Sequence, residues 1–386
     1  MRILILGAGL MGPAAAYNAL LDDGVSRVTL ADRDPLQLES ARAHLERVTD
    51  VTRLHTVLLE LSNRDETVAL IRDHDVALGA LPWSASMLAL DAALDARTPF
   101  VDLAIPADDD IPHLRARADE TSTLVVLGAG LEPGLTEIWA RHLAIGLDEI
   151  SELHIKVGGV PEVPSGPLGY RIVFGGREMP LREADALVVH ECRPQLAARY
   201  SEAEVVDFPG IGRLEAWHEG VLPWILDLPE FTALHAASQK TIRWPGYAER
   251  ITMLKEMGML STVPVDVAGV AVAPKALLDA VLYPHVRLRD GEGDITLFRV
   301  DVHGTKDGRR VMRRADMVDR IDRARGFTSM ARTTAFTGAI VARMIGRGAI
   351  TATGVVTSEL VVVDQLFEEL VVELAREGVV FNVAEE

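Results

Sequence analysis

Three glycines near the N-terminus, Gly7, Gly9 and Gly12 of "LGAGLMG", have the spacing of a turn that receives a pyrophosphate. The first permits a tight turn, the second lets backbone N–H groups approach phosphate, and the third lets a helix pack close to the preceding strand. Leu10 and Met11 complete that loop, and Asp32 closes the next apolar run. A carboxylate there accepts from ribose hydroxyls and repels a 2′-phosphate, which favours NAD; Arg33, directly after it, leaves NADP open. Further along, "QKTIRWPGYAER" gathers Lys240, Arg243, Trp244 and Tyr247 around a Pro-Gly turn. An arginine fork beside aromatic rings suits the carboxylate of a small metabolite. Strand alternation sends Lys240 and Arg243 to opposite faces, so one cation reaches a pocket, and Arg243 is the expected one. Tyr247 then supplies a hydrogen bond. The competing reading is an exposed cationic edge strand.

These groups need elements to hold them. "RILIL", "RVTLAD", "RLHTVLLEL", "DVALGALP", "PFVDLA" and "TLVVLGA" read as buried strands, each followed by an amphipathic or small-residue stretch. Asp34 before Pro35 starts one of those helices. Alternation of this kind implies an α/β fold with a doubly wound parallel sheet. Ligands meet such sheets at the carboxyl ends of the strands. That rule brings in Ala80, Leu81 and Pro82 of "GALPWS" as cofactor neighbours, and Asp102 of "PFVDLA" as a base, an amine-orienting group or a loop cap.

Beyond Leu131 the pattern changes to "ELHIKVGGVP", "PLGYRIVF", "EAEVVDF", "RLEAWHEG" and "QKTIRW", read as strands with one helix, "PKALLDAVLYP". "DITLFRVDVHG" and "RRVMRRADMV" form a hairpin through "TKDG". The expected organisation is residues 1–130 as the dinucleotide-binding domain, completed by 328–386 through the helix "TSMARTTAFTGAIVARMIGRG". An inserted, mostly antiparallel α+β substrate domain spans 131–327.

Composition narrows the classes. The chain has 386 residues, 48% hydrophobic and 25% charged, with a formal charge of −18. That charge argues against nucleic acid and anionic membrane surfaces as partners. The one cysteine, Cys192, excludes an internal disulfide and a cysteine-rich metal cluster. His190, Glu191 and Cys192 are consecutive and cannot all face one site. The eleven histidines lack metal-ligand spacing, and no apolar run reaches membrane length. A cytoplasmic protein without a metal is the expectation.

"ILGAGLMG", "GALP", "VDLA", "GLEPGL", "VGGVP", "PLGYRIVF", "LEAWHEG", "TIRWPGYAE" and "SMARTTAFTGAIVA" occur in this order and together resemble the saccharopine dehydrogenase family, nearest its short lysine 6-dehydrogenase-type members. The resemblance implies a Rossmann domain carrying NAD(P), an inserted substrate domain, and oxidation at a carbon bearing nitrogen in a lysine-like amino acid. A secondary amine of the saccharopine type is the alternative substrate. A homo-oligomer, a dimer, is expected. Arg177 in "GYRIVFGGRE" matches an arginine of several members and becomes a second carboxylate candidate, with Tyr170 supporting; His218 in "LEAWHEG" shares the proton-handling assignment with Asp102. The chain departs from the family at Gly128, where Asp is frequent, at Tyr247, where His is frequent, and at Glu219, which replaces Thr. The Gly128 departure keeps open a dinucleotide-binding regulator without turnover.

Overall fold

The computed structural model describes residues 1–174, 176–289 and 291–386. In chain order the first elements are β1 (Arg2–Leu6), α1 (Gly12–Leu20), β2 (Arg27–Asp32), α2 (Pro35–Leu45), β3 (Leu54–Leu58), α3 (Arg64–Arg72), β4 (Val76–Gly79), α4 (Trp83–Ala96), β5 (Phe100–Asp102), α5 (Ile111–Thr121), β6 (Leu124–Leu127) and α6 (Leu135–Ala144). Then come β7 (Glu149–Pro161), β8 (Ala186–His190), β9 (Arg193–Ala197), β10 (Glu204–Phe208), β11 (Gly212–His218), β12 (Ala236–Arg243), α7 (Tyr247–Glu256), β13 (Val265–Val267), β14 (Val270–Val272), α8 (Pro274–Val286), β15 (Asp294–Lys306) and β16 (Arg309–Arg320). The chain ends with α9 (Ser329–Gly346), β17 (Gly354–Thr357), α10 (Ser358–Val361), α11 (Asp364–Arg376) and β18 (Asn382–Glu385). No helix among the described residues is long and apolar enough to cross a membrane.

Two compact units result. The first takes Met1–Ile138 and Asp322–Val379, and the second takes Trp139–Ile321 and Val380–Glu386. The expected boundaries were 130/131 and 327/328, so the folded divisions fall a few residues later and earlier. The last strand also joins the second unit, because β18 pairs with β16 and Arg313 meets Glu385 at 2.7 Å.

The first unit holds a parallel sheet in the order β17-β6-β5-β4-β1-β2-β3. Near-continuous apolar strands such as β1 and β4 fit a sheet covered on both faces. Leu4, Leu6, Ala77, Phe100, Val125 and Leu127 lie in its core. Helix α9, buried along most of its length, packs on α1, β4 and β5. Its small residues allow this; a Cβ at Gly338 would run into Leu103. Arg325 donates to the Tyr17 hydroxyl at 2.9 Å and pairs with Glu377, tying the returning segment to α1.

The second unit is a mixed sheet in the order β10-β11-β12-β7-β15-β16-β18, with β8 and β9 attached beside β12. Only β12 with β7 runs parallel along that path; the other pairs are antiparallel. The β15–β16 hairpin turns through Asp307 and Gly308, both at positive φ (52° and 71°), as a two-residue primed turn requires. A second such turn, Glu191–Cys192, joins β8 to β9. The "HECRP" stretch is therefore a hairpin tip, with Cys192 exposed.

Two expectations for this unit fail. "PLGYRIVF" is not a strand; among the described residues its one β-contact is an isolated bridge from Ile172 to Arg287. Gly166 and Gly169 curl the backbone at positive φ, and four consecutive residues from Tyr170 to Val173 are buried. Arg171 takes over the ladder's role, donating to the His285 carbonyl at 2.9 Å while gripping Glu292 through Nε and Nη2 at 2.7 and 2.8 Å. That grip holds the Glu292 carboxyl down at about 2. The second failure is α7, a helix where sequence patterning allowed only "PKALLDAVLYP". Its start is set by Glu215, whose carboxylate accepts from the Gly246 and Ala248 N–H groups at 2.8 and 2.7 Å. A carboxylate at a helix N-terminus satisfies orphan donors and complements the dipole.

Candidate active site

The residues expected to hold a dinucleotide lie together in the first unit, at the carboxyl ends of β1, β2 and β4. Gly7 sits at φ 103°, and a Cβ there would collide with the Ala80 carbonyl. A Cβ at Gly12 would collide with the Gly7 carbonyl, so that glycine is what lets α1 close on β1. Gly9 differs: a Cβ there would meet no atom, and Gly9 and Leu10 are both exposed. Met11 caps α1 without a side-chain hydrogen bond, which leaves the first N–H groups to an incoming anion. The arrangement fits a pyrophosphate. Asp32 is half-buried and aimed by its own loop, accepting from Ala8 N–H at 2.6 Å and Asp34 N–H at 2.9 Å. Arg33 is exposed. Ala80 and Leu81 are half-buried and Pro82 is exposed at the start of α4.

Asp102 ends β5 on the same edge, but its oxygens are committed. Ser86 Oγ donates to one, and the Ala104 N–H donates to the other at 3.0 Å. With 2% exposure, burial pushes its carboxyl up to about 6. The geometry makes Asp102 an anchor for the loop after β5, and sequence alone had weighed this equally with a base. A second buried acid on this edge, Glu137, was missed. It accepts from Gly134 N–H and Thr136 Oγ1 at 2.7 and 2.8 Å, and burial raises it to about 8.

In the second unit the register of β11 on β12 sorts the remaining candidates. Trp217 lies opposite Thr241 and Glu215 opposite Arg243, while His218 lies opposite Lys240. Directly opposed residues share a face. Trp217, Thr241 and Arg243 therefore occupy one face, and His218 and Lys240 the other. β12 is interior to the sheet, which removes the edge-strand alternative. Lys240 is buried and spent, its Nζ donating to the Glu202 carbonyl at 2.9 Å and pairing with Glu204 at 3.0 Å. His218 pairs through Nε2 with Glu202 at 3.0 Å. It is not brought together with Arg243, because it shares the face of Lys240 while Thr241 and Arg243 lie on the other.

Arg243 is the unusual group. It is 5% exposed, yet among the described residues no carboxylate pairs with it. Its guanidinium lies 4.9 Å from the Tyr170 ring centre and 5.7 Å from that of Tyr247. Tyr247 in turn stacks on Trp217, centroids 6.0 Å apart and planes 4° apart. Its Nη1 donates to the Ile242 carbonyl at 2.8 Å, and its fork also reaches the Tyr170 hydroxyl. Among the described residues Arg243 Nε and Trp217 Nε1 are buried without an acceptor. The nearby cation partly offsets burial, which raises the Tyr170 phenol. A buried guanidinium with no carboxylate within salt-bridge distance is costly, and its unsatisfied Nε leaves donor capacity for an anion. Arg177 does not join it: that side chain is exposed, 5.5 Å above the Tyr283 ring. Trp217 was missed because its role depends on which β12 residue it faces.

A parallel doubly wound sheet with an open glycine loop and an aimed Asp32 defines a dinucleotide-binding unit. The family model for the saccharopine dehydrogenase NADP binding domain matches residues 3–126, and that for the saccharopine dehydrogenase C-terminal domain matches 130–379. The chain belongs to the saccharopine dehydrogenase family and is an NAD(P)-dependent amine dehydrogenase. It is 23% identical over 340 residues to the carboxynorspermidine synthase of Vibrio alginolyticus, covering 80% of this chain and 79% of that one. To the carboxyaminopropylagmatine dehydrogenase of Synechocystis it is 22% identical over 334 residues, covering 80% and 78%. The solved saccharopine dehydrogenase (L-Glu forming) of Saccharomyces cerevisiae shares the fold, with a TM-score of 0.80 at 16% identity over 100% of this chain and 99% of that one.

Proposed function

We propose that the protein oxidises, or forms by reduction, the C–N bond of an amine that carries a carboxylate. The observation that carries this reading is Arg243, a buried guanidinium that forms no salt bridge among the described residues and lies against Tyr170 and Tyr247. A substrate carboxylate would accept the Arg243 fork together with Trp217 Nε1 and the Tyr170 hydroxyl, which orients the rest of the molecule. Bound NAD(P) supplies the hydride acceptor or donor. Gly7, Gly9, Gly12 and the start of α1 hold its pyrophosphate, and Asp32 takes the ribose hydroxyls. Because Asp32 is fixed by two backbone N–H groups, we propose NAD as the preferred form. A kcat/KM higher with NADP would refute that preference.

Among carboxylated amines we favour a secondary amine joining a carboxylated arm to a polyamine-like tail. The names of the two curated relatives, each a carboxy-amine, support it. A lysine-like primary amine is the second reading, supported by the resemblance of "LEAWHEG" and "TIRWPGYAE" to lysine 6-dehydrogenases. Nicotinamide absorbance measured across lysine, saccharopine, carboxynorspermidine and norspermidine separates them. Turnover of carboxynorspermidine with none of norspermidine is expected. Equal turnover with and without the carboxyl group would end the proposal.

A further inference from the structure

The face of β12 that carries Arg243 holds a second set of cationic groups, and a carboxylate of the chain already occupies it. Glu219, just past β11, pairs with Arg199 Nη1 and lies 3.8 Å from Arg182 Nη1. Its other oxygen accepts from Thr241 Oγ1 at 3.4 Å. Arg199 is 7% exposed and is held from behind, its Nε donating to the Ala184 carbonyl at 2.6 Å. Two guanidinium groups and a hydroxyl around one carboxylate are the contacts that a substrate carboxylate would receive. Thr241 and Arg243 are two residues apart on one strand, so the two anion positions stand roughly 7 Å apart.

We infer that Glu219 occupies the place of a second substrate carboxylate and makes the Arg243 slot selective for a substrate with a single carboxylate at that end. The inference rests on Arg243 as the substrate's carboxylate partner, and adds the residue that sets specificity. A dicarboxylate would bring its second group against the partly buried Glu219 carboxylate, and like charges repel there. Of the other cations near this unit's core, Arg171 is taken by Glu292, and Lys240 by Glu204 on the opposite face.

Competition by two five-carbon acids, valerate and glutarate, on the NAD-loaded protein tests this. Wild-type protein is expected to bind valerate at least about tenfold more tightly than glutarate. Glu219→Gln keeps an acceptor for Arg199 while removing the charge, and should shift that ratio toward glutarate by about tenfold or more. Arg243→Met should lose both acids. Wild-type protein that prefers glutarate overturns the inference without any variant, which decides the matter even if Glu219→Gln does not fold. A folded Glu219→Gln protein with an unchanged ratio overturns it too. Valerate binding that survives in Arg243→Met strikes the underlying reading of Arg243 instead, and no valerate binding in wild type removes both.

Discussion

At the residue scale the two halves of the chemistry rest on different kinds of information. Gly9 lines open space, so Gly9→Ala should leave stability within about 0.5 kcal/mol of wild type while weakening cofactor binding about tenfold. Gly12→Ala should instead cost roughly 1–3 kcal/mol, because its Cβ has no room beside the Gly7 carbonyl. Thermal melts with and without NAD separate the two effects. Arg243→Met should lower kcat/KM by an order of magnitude or more, and Arg243→Lys should not restore it, since an ammonium lacks the planar fork. Unchanged kinetics in either variant would rule out the clamp. The glycines and Arg243 were legible because spacing and alternation are local. Trp217, the pairing of Glu219 and the isolation of His218 were not, because they depend on the register between β11 and β12, which no short window contains.

At the element scale α7 shows where pattern reading stops. Its cap, Glu215, lies 31 residues before Gly246, so the start signal is absent from the neighbouring sequence. Tyr247, the first residue of that helix, forms one wall of the Arg243 slot. Glu215→Ala is therefore expected to cost about 1–2 kcal/mol and to raise KM more than it lowers kcat. A purely structural role would leave KM unchanged in the protein that remains folded. The parallel strands and their order of helices were readable throughout, since buried parallel strands announce themselves as apolar runs. "PLGYRIVF" misled for the same reason: it is apolar because it is buried, but Arg171 rather than a neighbouring strand satisfies its surroundings.

For the whole molecule, Asp102 ties stability to pH. Its carboxyl is raised by burial from 3.8 to about 6, so the folded protein holds that proton more tightly than the unfolded chain does. The stability it lends is fully present below about pH 4 and is lost as pH rises through 6, about 3 kcal/mol in all. Asp102→Asn should flatten that part of a denaturation-against-pH profile. A wild-type profile already flat between pH 4 and 6, with other groups accounted for, would remove the assignment.

The chain passes between its two units three times, after Ile138, Ile321 and Val379. During synthesis this means that neither unit can finish before nearly the whole polypeptide has emerged. Until Gly354–Thr357 leaves the ribosome, the outer edge of Leu124–Leu127 stays open to stray pairing, while the second unit has had most of its strands for some time. The nascent protein should thus gain protease resistance first in its middle, and a coenzyme-binding half cut out as residues 1–138 should aggregate when expressed without 322–379.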